Sequence, residues 1–256
     1  MGSGVSTKMF LIGDIHGNYI PVWNFYRRSR KEISDGDWVI MLGDSGLNYY
    51  GGSRDNFVKS NLSDMPLKYF VIRGNHDRRP STMSCMRKVS LFGGSAYVDD
   101  RYPNIYYAED NVAVYDLNGL KTLVIPGAYS VDKYYRLSMG YNWFKDEQLS
   151  AEEQEAGLKV CDSIDWKCDV VLSHTCPSIY VPTDLFLSVV DQSTVDTSME
   201  RYLGGVEYRL DYKLWLWGHY HAHRVYPVTD GRQRVMLFNE KVMELGELYK
   251  GSIKTY

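Results

Sequence analysis

Five short runs rich in Val, Ile, Leu and aromatic residues punctuate the chain, and each stops abruptly at a glycine or a polar cluster. The run over residues 8–12 meets Gly13-Asp14-Ile15-His16-Gly17, that over 38–42 meets Gly43-Asp44, and that over 69–72 meets Arg73-Gly74-Asn75-His76-Asp77. Later, residues 170–172 lead to Ser173-His174, and 214–217 lead to Gly218-His219-Tyr220-His221. Unbroken apolar runs of this length predict strands buried on both faces. In layered α/β architectures the loops that such strands feed converge on one edge of the sheet, so distant residues share a pocket.

Between the runs, mixed polar and apolar faces predict helices over residues 19–34, 54–63, 146–161 and 194–209. Ser150 stands three residues before Glu153, the spacing of a capping box. Residues 104–126 alternate and turn at Glu109-Asp110-Asn111 and again at Asn118-Gly119, which predicts a second, antiparallel sheet region. Residues 224–239 read as a further hairpin turning at Thr229-Asp230-Gly231. With no repeat or linker in view, residues 7–256 are expected to form one domain after a flexible start at 1–6.

Composition narrows the function classes. At 44% hydrophobic and 24% charged residues, the 256-residue chain suits a soluble globular protein. A net charge of -3 provides no field for an extended nucleic acid. The four cysteines lack paired CxxC spacing, so neither a structural zinc site nor a disulfide framework is expected. No apolar stretch reaches the length of a membrane span, and the first eight residues lack the apolar core of a signal peptide, so a cytoplasmic protein without a membrane partner is expected.

The histidines change the picture most. Of six, five stand in the polar clusters that end the strands: His16, His76, His174, His219 and His221. The sixth, His223, continues the His219-x-His221 alternation, and in an extended segment all three would point the same way. Cations that activate water favour imidazole nitrogen and carboxylate oxygen, and a dinuclear centre needs one ligand that bridges. Asp14-x-His16 places both donor types on one short loop, Asp44 on a tight turn is a natural bridge, and Asn75 adds a neutral oxygen. Each motif alone is a common turn; together, in this order, they point to a metal site.

As a set, Asp-x-His, Gly-Asp, Gly-Asn-His-Asp, a later His and Gly-His-x-His resemble the calcineurin-like metallophosphoesterase superfamily, and they extend from Asp14 to His221. The resemblance implies an α/β fold, a four-layer α-β-β-α sandwich of two mixed sheets flanked by helices. It implies one metal held by Asp14, His16, Asp44 and His221, and a second held by Asp44, Asn75, His174 and His219. The two ions would be manganese, iron or zinc. The implied reaction is phosphoester hydrolysis by a metal-bridging hydroxide, with His76 assisting the leaving group and Asp77 orienting it.

One departure bears on substrate. Phosphoprotein phosphatases of that superfamily follow Gly-Asp with an Asp-Arg-Gly whose arginine grips phosphate, whereas this chain continues Ser45-Gly46-Leu47-Asn48. Candidate replacement cations are Arg73, Arg78, Lys133 and Arg136, the last two in a stretch after Pro126-Gly127 expected to be an exposed loop. The expected substrate is a phosphorylated small molecule, nucleotide or phosphopeptide. The alternatives are protein serine/threonine phosphatase-like activity, a nucleotide or nucleic-acid phosphodiesterase, and a noncatalytic metal-binding scaffold. Such scaffolds commonly lose ligands, and this set is complete.

Overall fold

Each apolar run becomes a strand, in a computed structural model that describes residues 7–186 and 188–256; the expected flexible start at 1–6 lies outside the described residues. In chain order the strands are β1 (Met9–Ile12), β2 (Trp38–Leu42), β3 (Lys68–Ile72), β4 (Met86–Leu91), β5 (Gly94–Asp99), β6 (Ile105–Ala108) and β7 (Ala113–Leu117). They continue with β8 (Leu120–Ile125), β9 (Val170–Ser173), β10 (Leu214–Trp217), β11 (Arg224–Val225), β12 (Gln233–Met236) and β13 (Met243–Glu244). The helices are α1 (Ile20–Arg28), α2 (Ser53–Ser63), α3 (Lys133–Ser138), α4 (Ala151–Ser163), α5 (Ser198–Arg209) and α6 (Leu245–Tyr249).

One sheet runs β13-β1-β2-β3-β6-β5-β4 and the other β11-β12-β10-β9-β8-β7. Both are mixed: β1, β2, β3 and β6 are parallel, as are β8, β9, β10 and β12, while the outer strands pair antiparallel.

Because successive strand residues face opposite sides, each central strand serves two apolar layers. Leu11, Ile40, Leu42, Phe70 and Ile72 of the first sheet meet Val124, Val170, Leu172, Leu214 and Leu216 of the second. Their neighbours Phe10, Ile12, Val39 and Met41 face away, onto Val22 and Phe25 of α1 and Val58 and Leu62 of α2. On the far side, Leu123, Val171, Trp215 and Trp217 pack on Cys161 of α4 and on Met199, Leu203 and Val206 of α5. Three apolar layers between four layers of structure give the expected α-β-β-α sandwich, each fully buried aliphatic side chain contributing roughly 1.5–3 kcal/mol.

Local signals held where their chemistry was explicit. Ser150 accepts from Glu153 N while Glu153 accepts from Ser150 N, completing the capping box of α4. Asn118 and Gly119 both take positive φ, 57° and 82°, as the tight β7–β8 hairpin requires. Elsewhere the structure differs from expectation. Strand β6 leaves the expected antiparallel region and lies parallel to β3 in the first sheet. The β4–β5 hairpin was not anticipated, and the expected loop after Gly127 contains α3. Helix α5 starts at Ser198 and not at Thr194, because Asp196 accepts from Ser198 N at 2.8 Å and Gln192–Thr194 forms a separate single turn. Among the described residues, no helix is long and apolar enough to cross a membrane.

Candidate metal centre

The parallel strands deliver their C-terminal ends to one edge of the two-sheet core, and there the backbone departs from ordinary geometry. Nine non-glycine residues among those described have positive φ, and five of them are expected ligands: Asp14 (27°), His16 (45°), Asp44 (45°), His219 (71°) and His221 (51°). Such conformations cost on the order of 1–3 kcal/mol each and persist only where the surroundings enforce them. Enforcement comes partly from two glycines. A Cβ on Gly43 would strike the imidazole of His174, and one on Gly74 would overlap the Asp44 carboxylate, so both loops press directly on the cluster.

Backbone hydrogen bonds lock the loops to one another. His16 N donates to Asp44 O and Gly17 N to Ser45 O, both at 2.8 Å. His219 N donates to both carboxylate oxygens of Asp14 at 3.0 Å, and Gly218 N donates to His174 O at 3.0 Å. Asn239, which the sequence did not single out, donates its amide to Asp14 O at 3.0 Å.

The first expected group of ligands is assembled, while of the second only Asp44, Asn75 and His174 come together through their donor atoms, with His219 beside them by ring packing. Donor atoms of Asp14, His16, Asp44 and His221 all lie within 4.8 Å of one another, close to the roughly 4.5 Å span that bonds of about 2.0–2.3 Å to a common ion allow. The Nε2 atoms of His16 and His221 face each other at 2.8 Å. In the second group, His174 Nε2 is 2.9 Å from Asn75 Oδ1 and 3.4 Å from Asp44 Oδ1, and the His219 ring packs edge-on against His174 with centroids 5.0 Å apart. His174 Nδ1 sits 2.8 Å from Leu42 O, a carbonyl that can only accept, so Nδ1 carries the proton.

Electrostatics favours a cation here. Burial pushes the Asp14 carboxyl well above its usual range. It would do the same to Asp44, but the imidazoles of His174, His76 and His16 overcome it and hold Asp44 well below. Burial likewise opposes a charge on His174, yet Asp44 raises this imidazole to about 9. Burial keeps His219 well below its usual value and, with His16, takes His221 down to about 4, leaving both neutral, the form that binds metals. Among the described residues only histidines approach the carboxylates of Asp14 and Asp44; neither pairs with a lysine or arginine. Two buried carboxylates amid converging imidazoles, with neither a lysine nor an arginine as counter-charge, fit metal ions, which on binding would displace the His174 proton.

His76 lies at the rim, its backbone N–H donating to Asp44 Oδ1 at 2.8 Å. Its Nε2 is 3.5 Å from Arg136 Nη1, 3.9 Å from Asp132 Oδ1 and 4.0 Å from Asp44 Oδ2. Burial lowers its pKa, Asp44 pulls it back up, and Arg136 pushes it down again.

The remaining expected residues take other places. Asp77 does not orient His76: its carboxylate accepts from Ser45 N, Ser45 Oγ, Gly46 N and Gly74 N, clamping the Asp44 and Asn75 loops together. Arg73 is buried behind the cluster, where Nη1 holds Glu147 O at 2.7 Å and Asp146 O at 3.4 Å, so it is not open to a substrate. Arg78 lines a different cavity. Lys133 stacks over Trp143 at 4.2 Å. His223 is exposed; the left-handed turns at His219 and His221 break the extended geometry that would have aligned all three.

Arg136 does reach the site, but from beneath. It is 2% exposed, holding Asn142 O with Nε and Nη2 and Ser130 Oγ with Nη1 at 2.8 Å. Ser130 in turn accepts from Asn75 Nδ2 at 2.9 Å and donates to the buried Glu147 at 2.5 Å. This Glu147–Ser130 brace, which aims the Asn75 carbonyl at His174, went unseen in the sequence, where the only hint was a polar stretch after Pro126-Gly127. None of the four cysteines is paired, and Cys176 donates to the Tyr220 hydroxyl on the scaffold side.

Against known proteins, the family model described as calcineurin-like phosphoesterase matches residues 7–223. Among solved structures, TT1561 of Thermus thermophilus superposes with a TM-score of 0.55 at 13% identity, covering 98% of each chain. A dimetal phosphatase from Danio rerio gives a TM-score of 0.48 at 12% identity, covering 93% of this chain and 95% of its own. The phosphopantetheinyl hydrolase PptH from Mycobacterium tuberculosis gives 0.47 at 15% identity, covering 93% and 91%. The likeness to TT1561 bears on the fold alone. No curated protein matches the sequence.

Proposed function

We propose, because this chain belongs to the calcineurin-like phosphoesterase family, that it hydrolyses phosphoesters at a two-metal centre. The observation that carries this reading is the convergence of Asp14, His16, Asp44 and His221 donor atoms within 4.8 Å on strained, left-handed loops. These four would hold one ion and Asp44, Asn75, His174 and His219 the other, with manganese, iron or zinc suited to the mixed oxygen and nitrogen set. Bound there, the ions would neutralise phosphate charge and acidify a water enough for attack at neutral pH.

The chain's own groups supply the rest. The Nδ1 contact of His174 with Leu42 O keeps its Nε2 edge toward Asn75 and Asp44, where a bound ion would displace the Nε2 proton. The Ser130 hydroxyl holds the Asn75 amide so that its oxygen faces inward. His76 is the proposed donor of a proton to the departing oxygen. A phosphate dianion arriving beside it would raise its proton affinity, offsetting the effect of burial and Arg136. Arg136 brings fixed positive charge to the same rim, where Nη1 lies 3.5 Å from His76. The substrate is proposed to be a phosphorylated small molecule, nucleotide or phosphopeptide.

The test is a screen of the metal-reconstituted chain on p-nitrophenyl phosphate, bis-p-nitrophenyl phosphate, cyclic nucleotides and phosphopeptides. Turnover on one of these classes, abolished by chelation, is expected. Full metal loading with no turnover on any of them would count against this reading and favour a noncatalytic metal-binding scaffold.

A further inference from the structure

Away from the metal cluster, a cavity of about 280 Å³ opens between the first turn of α2, the segment after Asp77 and the residues just before β4. Lys59, Arg78 and Arg101 line it, beside Gly51, Gly52 and Cys85. One carboxylate, Asp55, also lines it, but its oxygens are engaged by the amides of Tyr50 at 3.0 Å and Gly51 at 2.6 Å. Arg101 is tied to Asp99 at 2.6 Å and Arg78 packs against Gly51. Positive charge therefore exceeds negative in the lining.

Lys59 is the unexplained group. It is 2% exposed, and its ammonium has neither a hydrogen-bond nor an ion-pair partner among the described residues; Nζ lies 5.8 Å from the Tyr102 ring centroid. A buried, unpaired ammonium costs several kcal/mol and is seldom kept without a counter-ion. Burial accordingly holds its pKa below the usual lysine value, against the pull of Asp55 and Asp99, neither of which reaches ion-pair distance. The same cavity receives the start of α2, an 11-residue helix whose N-cap, Gly52, has no side chain to satisfy the first-turn N–H groups.

We propose that this cavity is an oxyanion site for a phosphate group, held by Lys59 Nζ, the guanidinium groups of Arg78 and Arg101, and the free N–H groups opening α2. Its volume falls just under the roughly 300–1,000 Å³ of drug-sized pockets, which suits inorganic phosphate or a single phosphoryl group better than a whole nucleotide. Arg78, by sequence a candidate cation for the substrate phosphate, lines this cavity instead. None of these residues touches the metal cluster, so the proposal stands apart from the hydrolase reading.

Equilibrium dialysis of the metal-loaded chain against inorganic phosphate tests it. Two bound equivalents per chain are expected, one at the metals and one here. Lys59→Met should weaken the second at least about tenfold while metal content stays unchanged, and Asp44→Ala should remove only the first. Arg101→Gln, a change at the surface, should weaken the same equivalent by a smaller factor and keeps the test open if Lys59→Met misfolds. A single equivalent that disappears in Asp44→Ala, or wild-type binding by both Lys59→Met and Arg101→Gln, would overturn the proposal. Loss of phosphoesterase turnover with the second equivalent intact would count against the hydrolase reading alone.

Discussion

Two buried charged assemblies in this molecule solve the same electrostatic problem in opposite ways. At the second sheet, Arg234 is 3% exposed and closes on itself a network of Tyr212 OH at 2.8 Å, Glu207 Oε1 at 2.9 Å and Asp230 Oδ2 at 2.7 Å. At the metal centre, Asp14 and Asp44 are equally buried but meet only histidines. The first assembly supplies its own counter-charge and needs nothing further. The second sets only imidazoles against its carboxylates, His174 foremost, and leaves converging donor atoms open to something that binds. Burial alone does not mark a functional site; buried carboxylates that meet only metal-ligating side chains do.

The largest effect should come from removing the shared carboxylate. Asp44→Ala takes a donor from both groups, and metal content and turnover should fall together, the latter by on the order of 10⁴-fold or more. His76→Ala should instead keep metal content near normal while lowering turnover by about 10²–10⁴-fold. Metal analysis beside steady-state kinetics separates the two, and equal metal loss in both variants would erase the distinction between ligand and rim. The mirror experiment is Arg234→Met. With the buried Glu207 left to Tyr212 OH and to Arg232 at 3.6 Å, stability should drop by up to about 3–5 kcal/mol in denaturant titration while turnover per folded molecule is kept. A loss of turnover beyond the loss of folded protein would mean that the two assemblies communicate.

A finer cut tests how the open assembly is held. Ser130→Ala removes the hydroxyl that fixes the Asn75 amide and links Arg136 to Glu147. Such outer contacts typically matter about 10- to 100-fold, so kcat should fall within that range with the fold unchanged. If only KM moves, Ser130 serves substrate contact and not the Asn75 ligand.

The two assemblies also differed in how legible they were. The candidate metal cluster was legible because each candidate ligand follows an apolar strand, and parallel strands must bring their ends to one edge; the meeting of Asp14 and Asp44 needed no knowledge of loop paths. The four layers came from the family resemblance; the residues themselves carried only strands buried on both faces, as the structure shows at 10–12 and 39–42, which alternate between two apolar layers. What failed depended on loop conformation. Asp77 and Arg73 flank the Asn75 motif but turn backward, to amides and carbonyls that no local pattern foretells. Strands β4 and β5 were missed because β4 is only partly buried at alternate positions, which leaves a weak period. The Glu147–Ser130 brace spans a stretch where α3 replaced the expected loop, and its partners meet only in three dimensions.

The smallest effect concerns acid, and it contrasts the assemblies by sign. In the closed network, the hydrogen bond from Arg234 pushes the Asp230 carboxyl down to about 2, against an ordinary value of 3.8. A carboxylate depressed in the folded state contributes stability that is fully present above 3.8 and is lost as the pH falls from there toward 2. The melting temperature of Asp230→Asn should therefore lie below wild type by a constant margin above about pH 4, and the gap should narrow as the pH drops through that window. Because Asp230 is 44% exposed on its side chain, solvent screening keeps the margin small. At the metal centre the Asp14 carboxyl is displaced the other way, upward by burial, so without metal its ionised form costs stability as the pH rises. A gap that stays constant down to pH 2 would show that Arg234 does not depend on Asp230 for its counter-charge, and that Glu207 alone closes the network.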